Sequence, residues 1–414
     1  DRQQRHLAAL VARYTQRTQK SKQRAQSCRS FLADKRAAIG FRFETKEMIY
    51  PITGQRSLGS KVWDIDGNEY IDISMGFGVH LFGHSEPFIM SALEGQLQRG
   101  FQIGPLSQFS DKVALLISEL TGMERVCFAN SGTEAVMTAI RLARATTGRN
   151  LIVIFKDAYH GHFDGVLAVA TKNQGQSGAA PMAPGVTQNA VDDVLVLAYD
   201  DPASLEVIQA HAHELAAVVV EPVPSRRPDV QPQEFLQQLR QLTQEIDAAL
   251  IFDEVITGFR IHPGGAQAWF GVEADIATYG KIVGGGMPIG VIAGKAMYLD
   301  GIDGGSWNYG DESYPAAETT FFAGTFSRNP LAMAAAHAVL SEVKSAGLPL
   351  YQRLNQRTTE LAQTVNAFFT AAEVPIQIVN FGSLFRFALA GNASYLYQPL
   401  EMDLFYHQMN EKGI

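Results

Sequence analysis

Residues 217–253 read AVVVEPVPSRRPDVQPQEFLQQLRQLTQEIDAALIFD, and this stretch decides the fold. The apolar run Ala217–Val220 predicts a buried strand that delivers Glu221 and Pro222 at its end. Gln233–Asp247 follows, with Phe235, Leu239, Leu242 and Ile246 spaced along one face of a helix. A second apolar run, Leu250–Phe252, ends on Asp253. Strand, crossover helix and strand form the repeating unit of a parallel sheet. The same texture begins near residue 105, with further strands predicted at Val126–Ala129, Leu151–Phe155, Val166–Ala170, Ile276–Thr278 and Ile289–Ala293. An open, mostly parallel α/β sheet follows. Such sheets bind ligands beyond the carboxyl ends of their strands, so the chemistry is sought there.

Outward from this region the pattern changes twice. Lys61–Asp72 reads as a hairpin about Asp66-Gly67-Asn68. Beyond residue 330, Leu331–Ala346 and Tyr351–Ala371 predict helices, and Ile376–Leu389 predicts strands around Gly382. The expected organisation is a basic helical arm or linker at 1–46, a hairpin segment of a small domain at 47–104, a large domain at 105–330, and the rest of an α+β small domain at 331–414. No closing element is read in the last residues, as in a piece of a longer polypeptide.

Length and composition narrow the class. The 414 residues are 46% hydrophobic and 18% charged, which excludes disordered, collagen-like and coiled-coil chains and leaves room for two or three domains of ~150 residues. No apolar run approaches the ~20 residues that span a bilayer, so no membrane partner is expected. Two cysteines, Cys28 and Cys127, make neither a disulfide framework nor a structural zinc site, and a cytoplasmic setting is the default expectation. Twelve Lys/Arg face three acids in residues 1–46, so that segment carries +9 and the remainder −17 of the net −8. With no interleaved aromatics and no basic body behind it, the segment is not read as a nucleic-acid site. Leu7, Leu10, Val11 and Tyr14 give it one apolar helical face.

Five constellations lie at or near predicted strand ends. Asn130-Ser131-Gly132-Thr133 opens a helix, where free N–H groups and hydroxyls suit a phosphate, although either hydroxyl serves equally as an ordinary cap. Tyr159-His160-Gly161-His162 presents an aromatic ring that can stack on a planar ligand. The two histidines lack further ligands at metal spacing, and no metal is expected. Asp253 ends a hydrophobic strand, as a counter-ion for a protonated heterocycle or as a structural ion pair. Lys281 also ends a buried strand, where desolvation lowers an amine's pKa and makes it nucleophilic. The glycines that follow precede a strand and so do not form a dinucleotide fingerprint. Gly324-Thr325 precedes a helix, as a second phosphate contact or a capped turn.

In this order and spacing the five motifs resemble the class III (fold type I) pyridoxal-phosphate aminotransferases, over about residues 60 to 345. The resemblance implies a large domain with a mostly parallel seven-stranded sheet plus a smaller α+β domain. It implies that Ser131, Gly132 and Thr133 bind the phosphate of pyridoxal 5'-phosphate. Tyr159 then stacks on the ring with His160 beside it, Asp253 pairs with the ring nitrogen, and Val255 packs under the ring. Lys281 holds the cofactor covalently and later moves the proton, with pyridoxamine 5'-phosphate as the intermediate form of the cofactor. Thr325 would reach the cofactor phosphate of a second subunit, which implies a homodimer, and Glu221 is a family position near the substrate end.

Within the family the chain looks closest to glutamate-1-semialdehyde aminomutase and to the aminotransferase domains of polyketide/nonribosomal-peptide megasynthases. The aminomutase pattern has an arginine where Tyr50-Pro51-Ile52-Thr53 places Thr53, and Ala-Gly-Asn where this chain has Pro224-Ser225-Arg226. The strings Ser225–Asp229, Asp72–His80 and Phe321–Phe326 look like the megasynthase domains. The expectation is amino transfer from an amino acid donor, glutamate or glutamine, to a β-ketoacyl thioester on the phosphopantetheine of an acyl carrier protein. The alternatives are the aminomutase and an inactive docking module.

Overall fold

The computed structural model describes residues 2–173, 176–389 and 400–414. The chain divides into two compact units, Asp1–Pro87 with Asn392–Ile414, and Phe88–Gly391. In this division residues 88–104 and 331–389, expected in a small domain, fall in the same unit as the sheet. Residues 390–399 of the expected C-terminal domain lie outside the described residues.

In the first unit, helix Arg2–Arg17 buries Leu10 and Tyr14 against Met48 and Tyr50, as the apolar face of the arm predicts. The Thr18 hydroxyl bonds the Tyr50 hydroxyl at 2.7 Å. Part of the basic charge is matched locally, by Arg13–Glu411, Lys22–Glu47 and Arg42–Asp403. Strands β1 (Gly54–Leu58), β2 (Lys61–Asp64) and β3 (Glu69–Ile71) form an antiparallel sheet containing the predicted hairpin. The chain's last residues, read from sequence as lacking an element, form a helix, Leu400–Lys412, that packs against Arg2–Arg17.

The second unit is built on a seven-stranded sheet. In chain order its strands are β4 (Arg125–Ala129), β5 (Leu151–Phe155), β8 (Val194–Leu197), β9 (Leu215–Val220), β10 (Ala249–Asp253), β11 (Ile276–Gly280) and β12 (Gly290–Gly294). They lie in the order β4-β12-β11-β10-β9-β5-β8. β12 alone runs against its neighbours, so the sheet is mostly parallel, as expected. One strand expectation fails. The run Val166–Ala170 does not join this sheet; β6 (Ala168–Asn173) pairs with β7 (Gln176–Pro181) in a separate antiparallel hairpin. Its place is taken by β8, whose four apolar residues are all buried. A strand of this sheet must be apolar on both faces, whereas Val169 and Ala170 are exposed.

The helix Gly132–Thr147 covers one face through Ala135, Val136, Ala139, Ile140, Leu142 and Ala143. Both predicted late helices are present within Pro330–Ala371, separated by a break at Gly347 (φ 52°, ψ −156°) just before Pro349. The predicted hairpin about Gly382 is β13 (Ile376–Phe381) with β14 (Leu384–Leu389). Among the described residues no helix is long and apolar enough to cross a membrane.

Candidate active site

The sheet order brings the predicted residues together at one edge. β5, β9, β10 and β11 are parallel neighbours, so Tyr159, Glu221, Asp253 and Lys281 leave the same ends of adjacent strands. The reversed strand β12 begins at that edge. Its first residue, Gly290, pairs with Ala129 of β4 on one side and Gly280 of β11 on the other. Ser131 and Lys281 therefore flank a single glycine. A Cβ on Gly290 would fall 2.1 Å from the Ser131 carbonyl oxygen, so only glycine permits this approach.

Asp253 is buried, and both of its oxygens accept hydrogen bonds. Oδ2 bonds His160 Nδ1 at 2.8 Å, and Oδ1 accepts from the Val255 amide and the Thr278 hydroxyl, each at 3.2 Å. Thr278 is the cross-strand partner of Asp253. Sequence reading missed it, because register between strands is not written in either strand. Glu221 is buried too, and its two oxygens accept from the Tyr159 amide (3.1 Å) and the Ser225 amide (3.2 Å). Burial raises the Glu221 carboxyl above its ordinary range, and Asp253 adds to this, against the pull of His160 and the two amides. For His160, burial alone would push the imidazole down. The bond to Asp253 and the charges of Asp253 and Glu221 reverse this and hold it above its usual value.

Lys281 follows β11 with φ 46°, in the left-handed region that non-glycine residues rarely occupy. Its amine is lowered by burial first, then by the Arg260 guanidinium, and is partly restored by Asp253 and Glu221. Arg260, a buried cation itself pushed down to about 10 by burial, was missed in the sequence.

Ser131 caps the helix Gly132–Thr147, its hydroxyl accepting from the Glu134 amide at 3.2 Å. Glu134 reaches back to the Asn130 amide at 2.8 Å, which closes the turn. Thr325 is exposed, in the segment ahead of the Pro330 helix.

Three features fit a flat, phosphorylated heterocycle. A Cβ on Gly132 would press on the Val255 methyls at 3.0 and 3.1 Å, and one on Gly161 (φ +90°) would sit 2.5 Å from the Thr133 hydroxyl, so glycines let Val255 and the residue 161 backbone close in on the Gly132-Thr133 turn. His160 Nε2 is buried with no hydrogen-bond partner among the described residues. The Tyr159 ring is 55% exposed on a loop whose backbone Glu221 fixes.

A family model described as Aminotransferase class-III matches residues 43–414. The chain belongs to the class-III aminotransferases. It is 37% identical to a glutamate-1-semialdehyde 2,1-aminomutase of Chloroflexus aggregans, over 88% of this chain and 83% of that protein. Among solved structures it resembles an omega-transaminase from Sphaerobacter thermophilus (31% identity, TM-score 0.80, 90% of this chain and 83% of that one). It also resembles a β-phenylalanine aminotransferase from Variovorax paradoxus (28% identity, TM-score 0.82, 99% of this chain and 89% of that one). This class-III enzyme is a fold type I transferase with pyridoxal 5'-phosphate as cofactor. Ser131, Gly132 and Thr133 would hold the phosphate, Tyr159 and Val255 the ring faces, Asp253 the ring nitrogen, and Lys281 the carbonyl carbon.

Next to Asp253, the fully buried Glu254 accepts from the Ala266 and Gln267 amides and from the Thr257 hydroxyl. Burial nonetheless pushes it from 4.5 to about 7. The folded state then binds the proton more tightly than the unfolded chain. This group's contribution is complete below about pH 4.5 and is lost as pH rises towards 7, by about 3 kcal/mol. Glu254→Gln is expected to flatten that decline, read as melting temperature against pH from 4.5 to 7. An unchanged slope contradicts the assignment.

Proposed function

We propose that this aminotransferase moves an amino group from an amino acid donor, glutamate or glutamine, to the β-ketone of an acyl thioester on an acyl carrier protein. The observation that carries this reading is Thr53. It stands where the aminomutase pattern places a carboxylate-holding arginine, and a thioester has no free carboxylate to hold. Thr53 is fixed by its backbone, its amide donating to Ser21 Oγ at 3.2 Å and its carbonyl accepting from the Ile65 amide at 3.0 Å. The likeness to a β-amino acid aminotransferase over 99% of this chain supports a β-amino product.

When bound, pyridoxal phosphate supplies a carbonyl that accepts the amino group and a ring that withdraws electrons from the reacting carbon. The protein supplies the rest. Asp253 gives the ring nitrogen a buried acceptor held by His160, Thr278 and the Val255 amide. Lys281 Nζ, whose hold on a proton burial and Arg260 weaken, carries a proton between substrate carbon and cofactor. In this reading the enzyme is a homodimer in which Thr325 serves the other subunit's phosphate.

The second reading is glutamate-1-semialdehyde aminomutase, and the name of the curated relative at 37% identity favours it. One experiment separates the two. Holoenzyme is given β-ketoacyl carrier protein with glutamate or glutamine, and the carrier is weighed by mass spectrometry. Replacement of the ketone by an amine is expected. No replacement with either donor, together with isomerisation of glutamate-1-semialdehyde without added amine, selects the aminomutase.

A further inference from the structure

The loop after β9 carries two adjacent arginines with different surroundings. Arg227 is engaged by Asp229, Nη2 to Oδ2 at 2.7 Å and Nε to Oδ1 at 3.1 Å. Arg226 forms no ion pair among the described residues. Its Nη1 makes one long bond, 3.4 Å, to the Asp157 carbonyl, which leaves most of its five N–H donors to other partners.

The backbone that carries Arg226 is held in place. Arg227 N donates to Pro224 O at 2.8 Å, Val230 N to Arg227 O at 2.9 Å, and the Tyr199 hydroxyl to Pro222 O at 2.9 Å. Ser225, the preceding residue, donates its amide to Glu221, and the other Glu221 oxygen accepts from the Tyr159 amide. Glu221 thus ties the Arg226 loop to the loop bearing the aromatic ring, beside the Asp253 and Lys281 charges. Asp157, under the guanidinium, has φ 65°, a strained conformation of the kind found where a loop serves a site.

We propose that Arg226 is the specificity residue for the amino donor, binding the donor's carboxylate at the mouth of the site. The proposal rests on the donor being an amino acid. A half-buried guanidinium with a fixed base and open donors recognises a carboxylate through paired charge-assisted bonds. Its backbone is fastened to the reacting edge of the sheet, so the charge is placed before the donor arrives.

The test uses holoenzyme of wild type, Arg226→Gln and Arg226→Lys. Donor turnover is followed by cofactor absorbance with L-glutamate and with benzylamine, which has no carboxylate. Binding of glutarate, an unreactive dicarboxylate, is followed by calorimetry. Arg226→Gln is expected to lower the preference for glutamate over benzylamine roughly 10- to 100-fold, through KM more than kcat, and to weaken glutarate equally. Arg226→Lys should recover part of both. Equal losses for both amines assign the residue a structural role and overturn the proposal, as does unchanged glutarate binding. It is equally overturned if the loss falls only on a phosphopantetheine-borne acceptor and spares its N-acetylcysteamine thioester, because Arg226 then serves the carrier arm. Glutarate binding reads the residue even if the carrier thioester is never aminated, so failure of the proposed reaction and failure of this assignment give different results.

Discussion

Lys281→Ala is expected to lose amino transfer by more than about 10⁴-fold while the fold stays intact. Positioned proton transfer alone contributes roughly 10²–10⁴-fold, and the same amine also supplies the covalent attachment. Circular dichroism should be unchanged, and cofactor retained on a desalting column should still be detectable, because the Ser131–Thr133 turn and Asp253 remain. The pH behaviour of the wild type follows from the surroundings of Lys281. Burial and the Arg260 charge lower its amine, so the neutral, reactive form is reached at lower pH than for a free lysine. Activity should therefore rise with pH along a limb that lies below the ordinary lysine range. Arg260→Met should move that limb upward, read from kcat against pH, because the amine is released only after the donor has bound. Ordinary turnover by the Lys281→Ala variant would remove the centre of the mechanism.

Asp253→Ala is the second large expectation, a fall on the order of 10³-fold in kcat. Two losses combine. The ring nitrogen loses its buried acceptor, and His160, Val255 N and Thr278 Oγ1 lose theirs. Removing one member of a buried charged pair costs about 3–5 kcal/mol, so melting should fall as well as turnover. The imidazole supplies a readout of its own. In the wild type Asp253 overcomes burial and holds His160 above its usual value. In the alanine variant burial is opposed by Glu221 alone, and the value should drop. Titration of the His160 ring protons by NMR checks the direction, and Asp253→Asn, which keeps the shape without the charge, separates the electrostatic part from packing.

Much of the fold was legible because its signals are local. Val218, Val219 and Val220 beside a Phe235–Leu239 face announce strand and helix without reference to anything distant. The candidate site was legible for the same reason, since Ser131, Tyr159, Asp253 and Lys281 each sit at or just beyond the end of an apolar run. What was missed depends on partners. The run 166–170 and β8 both read as apolar, and only the packing on both faces distinguishes them. Thr278 matters because it happens to face Asp253 across two strands. Nothing local to Arg260 shows that folding buries its charge. The last helix, Leu400–Lys412, buries only Met402 and His407, too sparse a stripe to stand out.

The reversal of β12 has a consequence for how this enzyme can diversify. Anchorage and reactivity share one mechanical part, because any shift of Gly290 moves the phosphate turn and the reactive amine together. The loop after β9 is a different part, tied to the Tyr159 loop through the Glu221 carboxylate and the long bond from Arg226 to the Asp157 carbonyl. If Arg226 selects the donor as proposed, donor preference rests on residues 224–229, a segment outside both the Ser131 turn and the Lys281 turn that flank Gly290.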